Sequence, residues 1–192
     1  MNAMPAEPRP TRAEYESVLT AEYLHTTRVL HSALMGGPVV FAAGLLVFFF
    51  SAGLSAAPAA RAVHTMDSLS MAHAGVTTLA YLLAPFLFRR ALTGTRLDPG
   101  QEARTPGELA TQALLLLRAA IIVRLAVLEG AAIFGLSVCV IGVTGGVLKV
   151  EPLHWINLGS SALLIAFGIV TFPTRGGLLD ILESNFGEGG GG

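Results

Sequence analysis

Apolar residues run through this chain in long blocks, and polar residues collect between them. Four blocks stand out: residues 29–54, 65–88, 113–145 and 153–172. Each has about 20 residues or more, the length an α-helix needs to cross a hydrocarbon core of about 30 Å. The first holds Leu45-Leu46-Val47-Phe48-Phe49-Phe50 and is interrupted early by Gly36-Gly37-Pro38. Proline removes a backbone donor there, which predicts a kink or a close helix contact. The second block is wet in its first half, with Asp67, Ser68, Ser70 and His73, and stops at Arg89-Arg90.

The third block belongs to a helix predicted from Pro106 to Gly145. Thr105 can cap it, Pro106 suits the first helical position and Glu108 closes a capping box. Some 40 residues at 1.5 Å each reach about 60 Å, twice the hydrocarbon thickness. Its first part must therefore project into the cytoplasm, lie along the interface or tilt. The fourth block opens at Glu151-Pro152 and closes at Pro173-Thr174-Arg175. Residues 1–28 form an N-terminal segment with an amphipathic helix starting at Thr11, and residues 176–192 form a flexible tail with a short amphipathic piece. The pattern predicts an all-α fold, an integral membrane four-helix bundle over residues 29–175. A shift of 93 residues lays Gly37 on Gly130 and Phe41 on Phe134, which suggests two tandem helical hairpins.

Composition agrees with the membrane class: 53% of residues are hydrophobic, only 13% are charged and the mean hydropathy is +0.64. A net charge of −1 without a basic stripe gives no support for nucleic-acid binding. The single Cys139 excludes a disulfide framework within the chain and a CxxC metal knuckle. No cleavable signal peptide is expected, because the first apolar run is too long and too far in. Arg9, Arg12, Arg28, Arg89, Arg90, Arg96, Arg104 and Arg175 fall on one side of the spans, and only Arg61 and Lys149 on the other. By the positive-inside rule, both termini and the middle loop are cytoplasmic. Trp155 fits the aromatic belt at the other face.

Candidate chemistry centres on Glu129, a carboxylate inside the third apolar block. At that depth a charge costs roughly 2.5–3.5 kcal/mol unless it is paired or protonated. Its neighbours one helical turn away, Leu125, Ala126, Ala132 and Ile133, cannot pair with it. Arg124 points about 140° away, and Arg118 shares the face but lies about 16 Å down the axis. A partner must come from another helix, with His31, Arg28, Arg89 and Arg90 at suitable depth. Glu129, His31, Arg124 and Arg118 thus form the candidate ionisable site, read either as an interhelical pair or as a proton or cation site. Gly36, Gly37, Gly130 and Gly135 are read as helix-packing positions.

A second polar set comprises His64, Asp67, His73, His154 and Asn157. It could bind a transition metal, but polar helix ends at headgroup level explain it as well, so no metal and no cofactor are expected. No phosphate loop, nucleophile elbow or dinucleotide fingerprint occurs, and the chain is not read as an enzyme. The expected partners are the lipid bilayer and a second copy or another membrane subunit.

The order of elements resembles a group of small bacterial four-helix inner-membrane proteins with a Leu-Glu-Gly motif, a following Phe and a Pro-Thr-ended fourth helix. Here these are Leu128-Glu129-Gly130, Phe134 and Phe172-Pro173-Thr174-Arg175, and the match covers most of residues 28 to 183. The resemblance implies a multi-pass inner-membrane location and no particular activity. The third helix is also similar to the carboxylate-bearing helix of F-type ATP synthase c subunits, through Arg104-Thr105-Pro106 and Glu129. It departs from them in lacking alternating glycines in the preceding helix, in its longer spacing and in Arg118 and Arg124. Two roles follow: a structural or interaction subunit in which Glu129 organises the bundle, or a translocating subunit with Glu129 as carrier.

Overall fold

The computed structural model describes residues 9–51, 60–93 and 105–186, which are helical with short turns and contain no strand. The seven α-helices are α1 (Arg12–Val18), α2 (Ala21–Ser51), α3 (Ala60–Thr93), α4 (Pro106–Thr144), α5 (Val147–Val150), α6 (Gly159–Val170) and α7 (Arg175–Phe186). A 3-10 helix, Pro152–Leu158, leads into α6. Four helical stretches are long and apolar enough to cross a membrane: Ala21–Ser51, Arg61–Leu92, Pro106–Thr144 and Pro152–Val170. The protein is an all-α bundle of the multi-pass membrane class.

The bundle is built around α4. It packs along α3 over most of its length and also against α2 and α6, whereas α2 and α3, consecutive in the chain, meet chiefly through it. Its start is as the sequence dictates: Thr105 Oγ1 accepts from the Glu108 amide and the Glu108 carboxylate accepts from the Thr105 amide. Its end is set by Gly145-Gly146. Gly146 has φ 73°, the left-handed conformation that glycine tolerates, and its amide donates to Val143 O.

Buried positions on α4 run from Ala110 to Val143, so its surplus length is covered by protein. Measured down from Thr144 at 1.5 Å per residue, a slab of about 30 Å ends near Arg124. The part before Arg124 projects beyond such a slab. There Ala113, Leu114, Leu117 and Ile121 join one core with Tyr15 and Leu19 from the N-terminal segment and Leu178, Leu179 and Leu182 from α7. The first half of α4 is thus packed by both terminal segments.

Two expectations are corrected here. The tail from 176 is not flexible as far as Phe186, because Leu178, Leu179 and Leu182 form an apolar stripe that docks α7 on α4 and α1. Arg12 fastens this end to α1, with its Nη1 2.6 Å from Glu183 Oε2 and 3.6 Å from Asp180 Oδ1. The N-terminal segment is also divided differently: α1 stops at Val18, and Ala21 already begins the first spanning helix. Residues 187–192, the loop bearing Arg96 and Arg104, and most of the 51–62 connection lie outside the described residues.

Candidate functional site

Glu129 sits on the side of α4 that faces α2. A Cβ placed on Gly37 would lie 3.3 Å from Glu129 Oε1, so the carboxylate rests against the bare backbone of α2. Gly37 is therefore level with Glu129. Among the described residues the carboxylate has no hydrogen bond and no ion pair. By helical rise it lies about 22 Å below Thr144, inside the apolar slab.

The expected partners of Glu129 are engaged elsewhere. His31 is buried, and its Nε2 donates to the carbonyl of Gly168 at 2.9 Å. The reason lies at the end of α6. The Phe172 amide turns back to Ile169 O instead of Gly168 O, which leaves the Gly168 carbonyl without its helical donor. His31 supplies that donor from α2, and its ring meets Phe172 edge-on at 5.4 Å. Arg28 Nε donates to Pro173 O at 3.0 Å, and the guanidinium lies 5.9 Å from the Phe172 ring centroid.

Arg118 and Arg124 lie over aromatic faces, not against carboxylates, and the Nε of each is buried without a hydrogen-bond partner among the described residues. Arg118 lies 4.1 Å from the centroid of Tyr23. Arg124 lies between Phe88 at 4.4 Å and Phe167 at 5.0 Å. Guanidinium over aromatic faces is favourable by about 0.5–2 kcal/mol and suits a cation at a bilayer boundary. The set Glu129, His31, Arg124 and Arg118 is thus dispersed over three separate contacts. Of the glycines, Gly37 and Gly135 meet neighbours, whereas Gly36 and Gly130 have nothing within 4 Å of a built Cβ.

The second polar set becomes the most connected part of the molecule. His73 on α3 is buried, with Nδ1 2.8 Å from Asn157 Oδ1 and Nε2 3.0 Å from both Ser160 Oγ and Thr77 Oγ1. Asn157 Nδ2 donates to Ser70 Oγ and to the His154 carbonyl, both at 2.8 Å. A carbonyl can only accept, so this fixes the amide with Oδ1 toward His73. His73 Nδ1 therefore carries a proton in either charge state. His154 Nδ1 lies 3.1 Å from Ser70 Oγ, and its Nε2 faces Glu151 Oε2 at 3.3 Å and Asp67 Oδ1 at 3.4 Å. His64 is exposed and takes no part.

Gly135 of α4 makes room for this chain of side chains. A Cβ there would overlap Asn157 O, and would lie 2.5 Å from His73 Nε2 and 2.7 Å from Ser160 Oγ. Phe134 covers the cluster, its ring centroid 5.8 Å from that of His73. The sequence singled out His73, His154, Asn157 and Asp67 but not Thr77, Ser160 or the role of Ser70. The available signal was spacing: Ser70, His73 and Thr77 follow at helical intervals, as do Glu151, His154, Asn157 and Ser160. Two such ladders on facing elements can interlock.

The fold and the polar ladder define a multi-pass, all-helical membrane protein with hydrogen-bonded interhelical contacts. No family model, curated protein or solved structure matches the chain.

Proposed function

We propose that this chain is a non-enzymatic multi-pass protein of the bacterial inner membrane, with cytoplasmic termini, that serves as a structural or interaction subunit through Glu129. The observation that supports this reading is the isolation of the Glu129 carboxylate among the described residues. A carboxylate at that depth needs a proton or a partner, and His31, Arg28, Arg118 and Arg124 are committed to other contacts. This reading assigns the partner to a second copy or to another subunit.

The surroundings suit a helix approaching from outside. Gly37 and Gly130 leave the carboxylate unshielded by side chains, and Val40, Phe41 and Ile133 present exposed apolar surface nearby along α2 and α4. The test is assembly in lipid nanodiscs or mild detergent. A particle larger than one chain is expected, and Glu129→Leu should dissociate it while Glu129→Gln, which keeps hydrogen bonding, retains it. A wild-type particle that is a single chain in both media overturns the reading.

The same isolation favours one alternative, a proton- or cation-translocating subunit with Glu129 as carrier, to which the resemblance to c subunits also points. It shares the forecast of intact assembly for Gln and adds a loss of transport. Ion flux in proteoliposomes, together with carbodiimide labelling of Glu129 near neutral pH, would be abolished by Glu129→Gln with assembly intact.

A further inference from the structure

We infer that Asp67, Glu151 and His154 form a divalent-cation site of the zinc class, with Asp67 Oδ1, Glu151 Oε2 and His154 Nε2 as ligand atoms. The sequence alone favoured polar helix ends for Asp67 and His154; the geometry adds Glu151 and brings three ligand atoms within 4.8 Å of one another. Asp67 comes from α3, and Glu151 and His154 come from the start of the fourth span, so the site joins two elements far apart in sequence.

The separations are informative. Bonds of 2.0–2.1 Å in a tetrahedron give ligand–ligand edges of about 3.3–3.4 Å. His154 Nε2 stands 3.3 Å from Glu151 Oε2 and 3.4 Å from Asp67 Oδ1. The 3.3 Å contact with Glu151 is a long hydrogen bond, just past the usual range of about 2.7–3.2 Å, and the 3.4 Å contact with Asp67 is longer still. Two carboxylates around one imidazole nitrogen match a cation's coordination shell better than one shared proton.

A second observation concerns the imidazole itself. His154 is the most enclosed of the three, with its side chain 8% exposed, and its other nitrogen is held from outside the triad. Ser70 Oγ can accept from His154 Nδ1–H and from Asn157 Nδ2–H together, since a hydroxyl oxygen has two lone pairs. That tautomer turns the Nε2 lone pair toward the carboxylates, as metal-ligating histidines require. Ser70 and Asn157 thus position a ligand through hydrogen bonds, and the buried His73 anchors Asn157 in turn.

Ligand chemistry selects the ion. One imidazole and two carboxylates suit a borderline cation such as Zn2+, with a fourth position open to water, whereas Ca2+ takes about 6–8 oxygens. Asp67 and Glu151 are 60% and 45% exposed, so an ion reaches the site from water at this end of the bundle. Bound there, it would clamp α3 to the 3-10 helix and tighten the ladder beneath.

The full chain, purified in detergent, stripped with a chelator and desalted, can be titrated with Co2+ as the spectroscopic probe and then with Zn2+. One equivalent of Co2+ should bind with the intense visible absorption of tetrahedral coordination, and Zn2+ should displace it. Asp67→Ala and Glu151→Ala should each weaken binding at least tenfold. Both residues are exposed enough to be replaced without loss of fold, which circular dichroism checks. Ser70→Ala, which removes the acceptor shared by His154 and Asn157, should cost about 10–100-fold. No uptake, a pale octahedral spectrum, or uptake unchanged in Asp67→Ala would each overturn the site. Glu129→Gln should bind Co2+ as wild type does, so this outcome and that of the Glu129 reading are separable.

Discussion

Gly135 and Gly130 occupy the same helix within two turns, yet their surroundings differ completely. Gly135 backs onto Asn157 O, His73 and Ser160, and nothing lies near Gly130. Gly135→Ala should therefore force the polar ladder apart, destabilising the fold by about 1–3 kcal/mol, as overpacking does. Gly130→Ala fills open space and adds helix propensity, so it should be neutral or stabilising by up to about 1 kcal/mol. Thermal unfolding of the two variants in one detergent makes the comparison. Tyr15 offers a second test at this scale. It is fully buried, its hydroxyl has no hydrogen-bond partner, and burial pushes its phenol up to about 12. Between pH 10 and 12 the unfolded phenol loses its proton while the folded one keeps it, so stability falls across that window and is intact below it. Tyr15→Phe should match wild type at neutral pH and lose less stability between pH 10 and 12, followed by unfolding at the two ends of the window.

At the scale of elements, α1 and α7 form a clasp on the first half of α4, held by the Tyr15, Leu19, Leu178 and Leu182 core with Arg12–Glu183 across its surface. Leu182→Ala, at a fully buried position, should cost about 2–5 kcal/mol of local stability and expose the terminal helices to limited proteolysis. The four membrane-length helices, the Thr105–Glu108 cap and the level of Gly37 with Glu129 were legible in the sequence. They depend on local spacing and on depth along a helix, both of which residue numbers encode. The clasp was only half legible: Leu178, Leu179 and Leu182 announced a stripe, but nothing local said what it would meet. The partner of His31 was hidden for a different reason. Its acceptor is a backbone carbonyl freed at the end of α6, and main-chain groups carry no sequence signature. Arg118 and Arg124, which helix geometry already turned away from Glu129, rest over aromatic faces, a contact between helices that no local spacing encodes.

For the whole molecule, the unequal distribution of arginine sets the expected orientation. With Cys139 replaced by Ala, an impermeant thiol reagent applied to intact cells should label Leu153→Cys, beyond the α5 turn, and spare Ser184→Cys on α7. The reverse pattern would invert the bundle. Either outcome leaves the central position of α4 unchanged, because α2, α3 and α6 all rest on it.

That central position has a consequence for the order of synthesis. The helix on which the others rest emerges after two of them. Until α4 leaves the ribosome, α2 and α3 have scarcely any contact with each other and must persist as separate lipid-solvated helices. Their outward apolar side chains allow this, since lipid is as good a neighbour as leucine. His73 is less fortunate: its Asn157 and Ser160 partners are translated 84 and 87 residues later. During that interval the imidazole has only Thr77, on its own helix, and its Nδ1 has no partner from the fourth span. A ribosome stalled before Pro152 would hold a product whose α3 cannot complete its hydrogen bonds, a lesion that membrane quality control could recognise by polarity alone.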